Sequence, residues 1–172
     1  MAKKKTKASK NMVCLIKKGV ALLAAVVTFV FFFLEMLAVK SVSSSSLFGN
    51  TKTTTTDGVT FAKLLFNEDY EIYREELGLT TVILWVVFVL VILSILALVA
   101  SFVAKKSIVA KFGAGVLVVA LLLLFVVNLD KATIDFGSLG KKDTFITNIT
   151  ALYFIALGLS AAGLGATVTL KK

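Results

Sequence analysis

The sequence predicts an all-α integral membrane protein with four transmembrane helices in an antiparallel bundle, and three observations carry that prediction. Hydrophobic residues make up 58% of the 172 positions, against about 45–50% in ordinary soluble domains, and mean hydropathy is +0.96. Four apolar runs approach or exceed the roughly 20 residues that a helix needs to cross a hydrocarbon core of about 30 Å. Charge is also segregated along the chain. Lys3, Lys4, Lys5, Lys7, Lys10, Lys17, Lys18, Lys105, Lys106, Lys111, Lys171 and Lys172 fall in segments without a single acid, while the acids other than Glu35 fall in the two intervening loops. Basic residues in short loops stay on the cytoplasmic side, so both termini are expected to be cytoplasmic.

Residues 1–18 form a basic tail, of which 1–11 have little to bury and are expected to lie unstructured against an anionic inner leaflet. The run 19–39 is the first span. It exceeds the about 7–15 apolar residues of a signal peptide, and Met36-Leu37-Ala38 is not followed by a convincing cleavage pattern, so it reads as a retained anchor. Cys14 is the single cysteine, which excludes an intramolecular disulfide. It precedes the apolar run rather than following it, unlike a lipoprotein cysteine, and reads as a small residue at the interface.

Residues 40–79 make a larger first outer loop. Its first half, with Ser43 to Ser46 and Thr53 to Thr56, is polar and repetitive, and Asp57-Gly58 is a turn signal. A short hairpin pairing 52–56 with 59–62 is therefore expected. Its second half starts a short helix over 67–77, with Asn67 as N-cap, acids in the first turn and Gly78 as the stop. The second span is 80–104, followed by an inner turn at 105–107, too short for anything but a helical hairpin. The third span is 108–127. Residues 128–150 form a second outer loop, read as a connector with turns at Gly137 and Gly140. The fourth span is 151–170, with 171–172 as the inner tail. The sequon Asn148-Ile149-Thr150 lies at the mouth of the fourth span, out of reach of a transferase.

Within the spans, Glu35 is the one acid, and intramembrane ionisable groups are functional candidates because a charge in lipid is costly. It sits about 9 Å outward of the first span's centre, taking about 1.5 Å per residue. Thr28, Ser94 and Ser101 are the accompanying intramembrane polar candidates. Gly158, Ala162 and Gly165 have the small-xxx-small spacing of close helix contacts and are assigned to packing. Distinctive outer residues cluster at Phe61, Leu64, Leu65, Phe66, Tyr70 and Tyr73, which are the candidate partner contacts.

No histidine is present. No Ser-Lys or paired-carboxylate arrangement occurs at membrane depth, so no catalytic residues, cofactor or metal site are assigned. The net charge of +9 lacks the Arg and aromatic interleaving of nucleic-acid binders, and its location points to anionic lipid instead. The expectation is a non-catalytic four-span accessory, assembly or envelope component that contacts another membrane protein, or a second copy of itself, through the first outer loop. The alternative is a small carrier or channel subunit using Glu35. In that one respect it resembles small multidrug transporters, which place a glutamate in the first of four helices but lack so long an outer loop. The topology resembles that of claudins, yet the Trp and paired Cys of their first loop are absent. Eighteen lysines to one arginine, without disulfides or an accessible sequon, incline the expected location to a bacterial cytoplasmic membrane.

Overall fold

A computed structural model describes residues 2–34, 37–47, 50–104, 106–127, 131–136 and 141–170, with side chains described at 10–34, 60–71, 74–75, 77–104, 106–126 and 150–170. The elements in order are α1 (Ala2–Phe31), β1 (Leu37–Leu47), β2 (Asn50–Val59), α2 (Phe61–Phe66), a 3-10 turn (Glu68–Tyr70), α3 (Glu71–Leu77), α4 (Leu79–Val103), α5 (Ser107–Val127), β3 (Lys131–Phe136), β4 (Lys141–Ile149) and α6 (Ala151–Val168). Four helical stretches are long and apolar enough to cross a membrane: Lys10–Phe31, Leu79–Val103, Ser107–Val126 and Ala151–Val168.

In each long helix the buried positions recur in alternating steps of three and four. They include Lys18, Ala21, Ala25 and Thr28 in α1, with Phe32 one residue past its end; Thr80, Leu84, Val87, Val91, Ser94, Leu98 and Ser101 in α4; and Ala110, Ala114, Leu117, Leu121 and Leu124 in α5, while Ala24, Gly113 and Ala120 are buried beside these lines. In α6 they are Tyr153, Ala156, Ser160, Gly163 and Thr167, with Leu170 two residues past its end. This seven-residue spacing is the seam of left-handed helix packing. Small and hydroxylated residues supply much of it, whereas Leu23, Val26, Val86, Val89, Leu93, Leu96, Leu122 and Phe125 are exposed. Lipid tails are as apolar as leucine, so close approach and hydrogen bonding, rather than water exclusion, favour such seams in a bilayer.

The chain divides into two compact units. The first comprises residues 1–29, 88–121 and 154–172. Here a Cβ on Gly163 would lie 3.1 Å from the Ala21 Cα, and one on Gly113 would lie 3.0 Å from the Leu98 Cγ and 3.1 Å from the Ser94 carbonyl oxygen. Glycine at these two positions permits the helix contact. Ser94 Oγ donates to the Gly113 carbonyl at 2.8 Å across that contact. Lys17 Nζ donates to Thr169 Oγ1 at 2.7 Å, Lys18 Nζ to the Ser101 carbonyl at 2.5 Å, and the rings of Phe29 and Phe88 lie 6.0 Å apart.

The second unit comprises residues 30–87 and 122–153 and contains a four-stranded antiparallel sheet in the order β2-β1-β4-β3. The central pair β1–β4 joins the two interhelical segments, with Ser41 opposite Phe145 and Ser43 opposite Asp143. Phe32 stacks on Phe61 at 4.3 Å between centroids. The Ala62 N–H donates to the Phe32 carbonyl at 3.1 Å, which fixes α2 against the end of α1.

The structure corrects several expected boundaries. The tail read as unstructured is helical from Ala2 and continuous with the first span; Lys and Ala are good helix formers, and an apolar helix downstream supplies the nucleus. That helix stops at Phe31 rather than at 39, because 37–39 enter β1 and pair with 147–149. The hairpin has a different partner: Thr53 lies opposite Ser44, and Asp57-Gly58 lies within β2. Residues 61 and 62 belong to α2 instead, since Thr60 caps it by accepting from the Lys63 N–H at 3.3 Å. The second outer loop is not a plain connector, because β3 and β4 occupy most of it. Its Thr144-Phe145-Ile146-Thr147 run has strand propensity and finds a central place in the sheet.

Candidate functional site

Among the described residues outside the long helices, 60–78 present the most distinctive exposed surface. Six residues of helix give α2 two faces. Phe61, Leu64 and Leu65 turn inward at 1%, 1% and 3% exposure, while Phe66 is 51% exposed. Asn67 ends α2 in an extended conformation and caps the next turn, its Oδ1 accepting from the Asp69 N–H at 3.1 Å. Glu68 and Asp69 then fall in the first turn, where acids suit the helix dipole.

The corner is held from α3. Arg74 Nη1 donates to the Leu64 carbonyl at 3.1 Å, near the C-terminal end of α2 where carbonyls lack helical donors, and to the Asn67 carbonyl at 2.7 Å, which also accepts from the Tyr70 N–H at 3.2 Å. Thr81 Oγ1 donates to the Arg74 carbonyl at 2.8 Å. Gly78, with φ of 47°, closes α3 and lets α4 begin one residue later. Phe66 meets Trp85 edge to face at 5.3 Å and 86°.

These contacts leave an open groove of about 590 Å³ lined by Phe33, Ala62, Lys63, Phe66, Asn67, Glu68 and Asp69. Two aromatic side chains supply its apolar part, and an amide, an ammonium and two carboxylates supply its polar part. The set holds no nucleophile paired with a base, and among the described residues no group of three His, Cys, Asp or Glu could hold a metal. The lining suits an apolar side chain flanked by a polar or basic group.

Of the expected partner contacts, Phe66 lies at the groove, and Tyr70 is partly buried in the adjoining turn. Phe61, Leu64 and Leu65 are core residues, and this corrects their assignment: a partner could not touch them without displacing the packing. Tyr73 lies in α3, its side chain outside the described residues. Glu35 also lies outside the described residues. Thr28, Ser94 and Ser101 are buried, each donating to a backbone carbonyl, those of Ala24, Gly113 and Leu98.

The packing assignment within α6 is likewise corrected. Gly158, Ala162 and Gly165 are exposed, and Gly163 occupies the seam. Small-residue spacing recurs on more than one face of α6, so spacing alone does not choose the face. Sequence reasoning passed over Phe33, Lys63 and Trp85. Trp85 carried a usable signal, an indole near the end of a span, whereas Phe33 and Lys63 carried none that distinguished them from their neighbours.

Four helices long and apolar enough to span a bilayer, joined to a small sheet and a capped helical corner, define the class as a helical membrane protein. Compared with known families, characterised proteins and solved structures, the chain matches none.

Proposed function

We propose that this is a non-catalytic, four-span accessory or assembly component of a bacterial cytoplasmic membrane, contacting another membrane or envelope protein through the surface around Phe66. The observation that carries the reading is the groove itself. A half-exposed phenylalanine braced by Trp85 stands beside Glu68 and Asp69 on a backbone corner fixed by Arg74. Aromatic anchors with a charged rim are the usual composition of binding hot spots.

The arrangement of spans in this proposal is antiparallel, with both termini cytoplasmic. Contact order supports it: Lys18 meets Ser101 while Phe29 meets Phe88, and Lys17 meets Thr169 while Ala21 meets Gly163. Ascending numbers in α1 face descending numbers in α4 and α6. The acid-free lysine segments then share the inner side. A carrier would need polar groups available along a path, and the hydroxyls of Thr28, Ser94, Ser101 and Ser160 all donate to backbone carbonyls.

The test is photo-crosslinking in native membranes. A benzophenone amino acid at position 66 should give one discrete adduct with a different protein, and the same group at the exposed Val99 should give lipid adducts only. Lipid adducts alone at both positions would sink the reading.

A further inference from the structure

The first unit holds a buried lysine and, by sequence, no aspartate or glutamate. Lys18 is 4% exposed, yet residues 1–29, 88–121 and 154–172 contain neither Asp nor Glu. Its Nζ donates to the Ser101 carbonyl and lies 5.8 Å from the centre of the Phe102 ring. Ser101 lies in the last turn of α4, so the ammonium caps that helix end. A carbonyl and a ring face offset only part of the cost of burying a charge, which falls substantially only with a charged partner. Beside it is a cleft of about 320 Å³, lined by Asn11, Cys14, Leu15, Lys18 and Phe102. The cleft joins one cation and one amide donor to an apolar wall, with Lys17 as the next residue along the chain.

We infer that this cleft binds a phosphate group, with the Lys18 ammonium as its counter-charge, Asn11 as a further donor, and Leu15 and Phe102 against the apolar part of whatever carries the phosphate. The carrier is an anionic phospholipid headgroup or a soluble phosphate. Lys18 meets the Ser101 carbonyl two residues from the Val103 end of the second spanning stretch, the depth at which basic pockets between helices meet headgroups. This inference rests on the spanning reading and not on the partner contact at Phe66.

Cys14 lines the cleft and is the only cysteine, so its alkylation by N-ethylmaleimide reports occupancy in the unmodified, delipidated full chain. Phosphatidylglycerol should slow alkylation by about tenfold, the scale of one charge-assisted contact, while phosphatidylcholine should leave it unchanged. Slowing by inorganic phosphate alone, to the same extent, would assign the site to a soluble phosphate. Lys18→Met should abolish the protection and Lys17→Met should keep it. Equal rates in every condition, equal protection by both lipids, or full protection in Lys18→Met would overturn the inference. If Lys18→Met does not fold, the unmodified chain with the two lipids and phosphate still decides. Resistance to carbonate extraction tests membrane insertion separately, so an unprotected Cys14 in an extraction-resistant protein counts against this site alone.

Discussion

Individual side chains in this chain are set by where backbone carbonyls need donors. Arg74 is the clearest case, because one guanidinium nitrogen serves the carbonyls of both Leu64 and Asn67. Arg74→Ala should destabilise the outer corner by about 1–3 kcal/mol, the cost of stranding the Leu64 carbonyl. The check is a lowered thermal midpoint in detergent, with a smaller drop for Arg74→Lys. Ser94→Ala removes the interhelical bond to Gly113 and should cost only about 0.6 kcal/mol, the average for such bonds between spanning helices. A loss above 2 kcal/mol on that scale would mean that Ser94 does more than bridge two helices. These roles were not legible in the sequence, since an arginine among five acids reads equally well as a solvated charge.

Among the elements, the spanning helices were legible because twenty apolar residues in a row have few alternatives, whereas their faces and the sheet were not. In α6 the buried line through Ser160, Gly163 and Thr167 and the exposed line through Gly158, Ala162 and Gly165 both consist of small residues. Which one packs depends on a neighbouring helix. Gly163→Leu should therefore destabilise the protein by about 1–3 kcal/mol through overpacking, while Gly158→Leu and Gly165→Leu should be tolerated, as thermal denaturation of the three variants will show. Gly78 belongs to this scale too: its positive φ makes Gly78→Val a strained junction, expected to lower the midpoint more than Thr60→Ala, which loses one N-cap worth about 1 kcal/mol. The sheet escaped the sequence because its central pairing is non-local. Residues 41–45 and 141–145 are a hundred positions apart, and nothing in the serine run names its partner. The turn signal at Asp57-Gly58 misled for a different reason: the pair is taken up inside β2, where the register with β1 shifts between Ser41–Thr56 and Val39–Val59.

For the whole molecule, the joining of two interhelical segments into one sheet is directly testable, since Ser43 lies opposite Asp143 in the register. Ser43→Cys with Asp143→Cys should form a disulfide under mild oxidation, and moving the first cysteine to position 46 should prevent it. The function was the least legible level. Phe66 could be read from the sequence as part of an aromatic cluster, but only the fold separates it from the buried Phe61 and sets it beside Trp85 and the acids of the next turn. The central claim is that this surface binds a different protein, and the most direct measurement is native mass spectrometry of the protein extracted from its own membrane in mild detergent. Wild type should carry one other protein in fixed ratio, and Phe66→Asp should lose it while its own stability falls by no more than about 0.5–1.5 kcal/mol, the worth of the edge-to-face pair with Trp85. A homo-oligomer without a companion, or a companion retained at full occupancy by Phe66→Asp, would contradict the account.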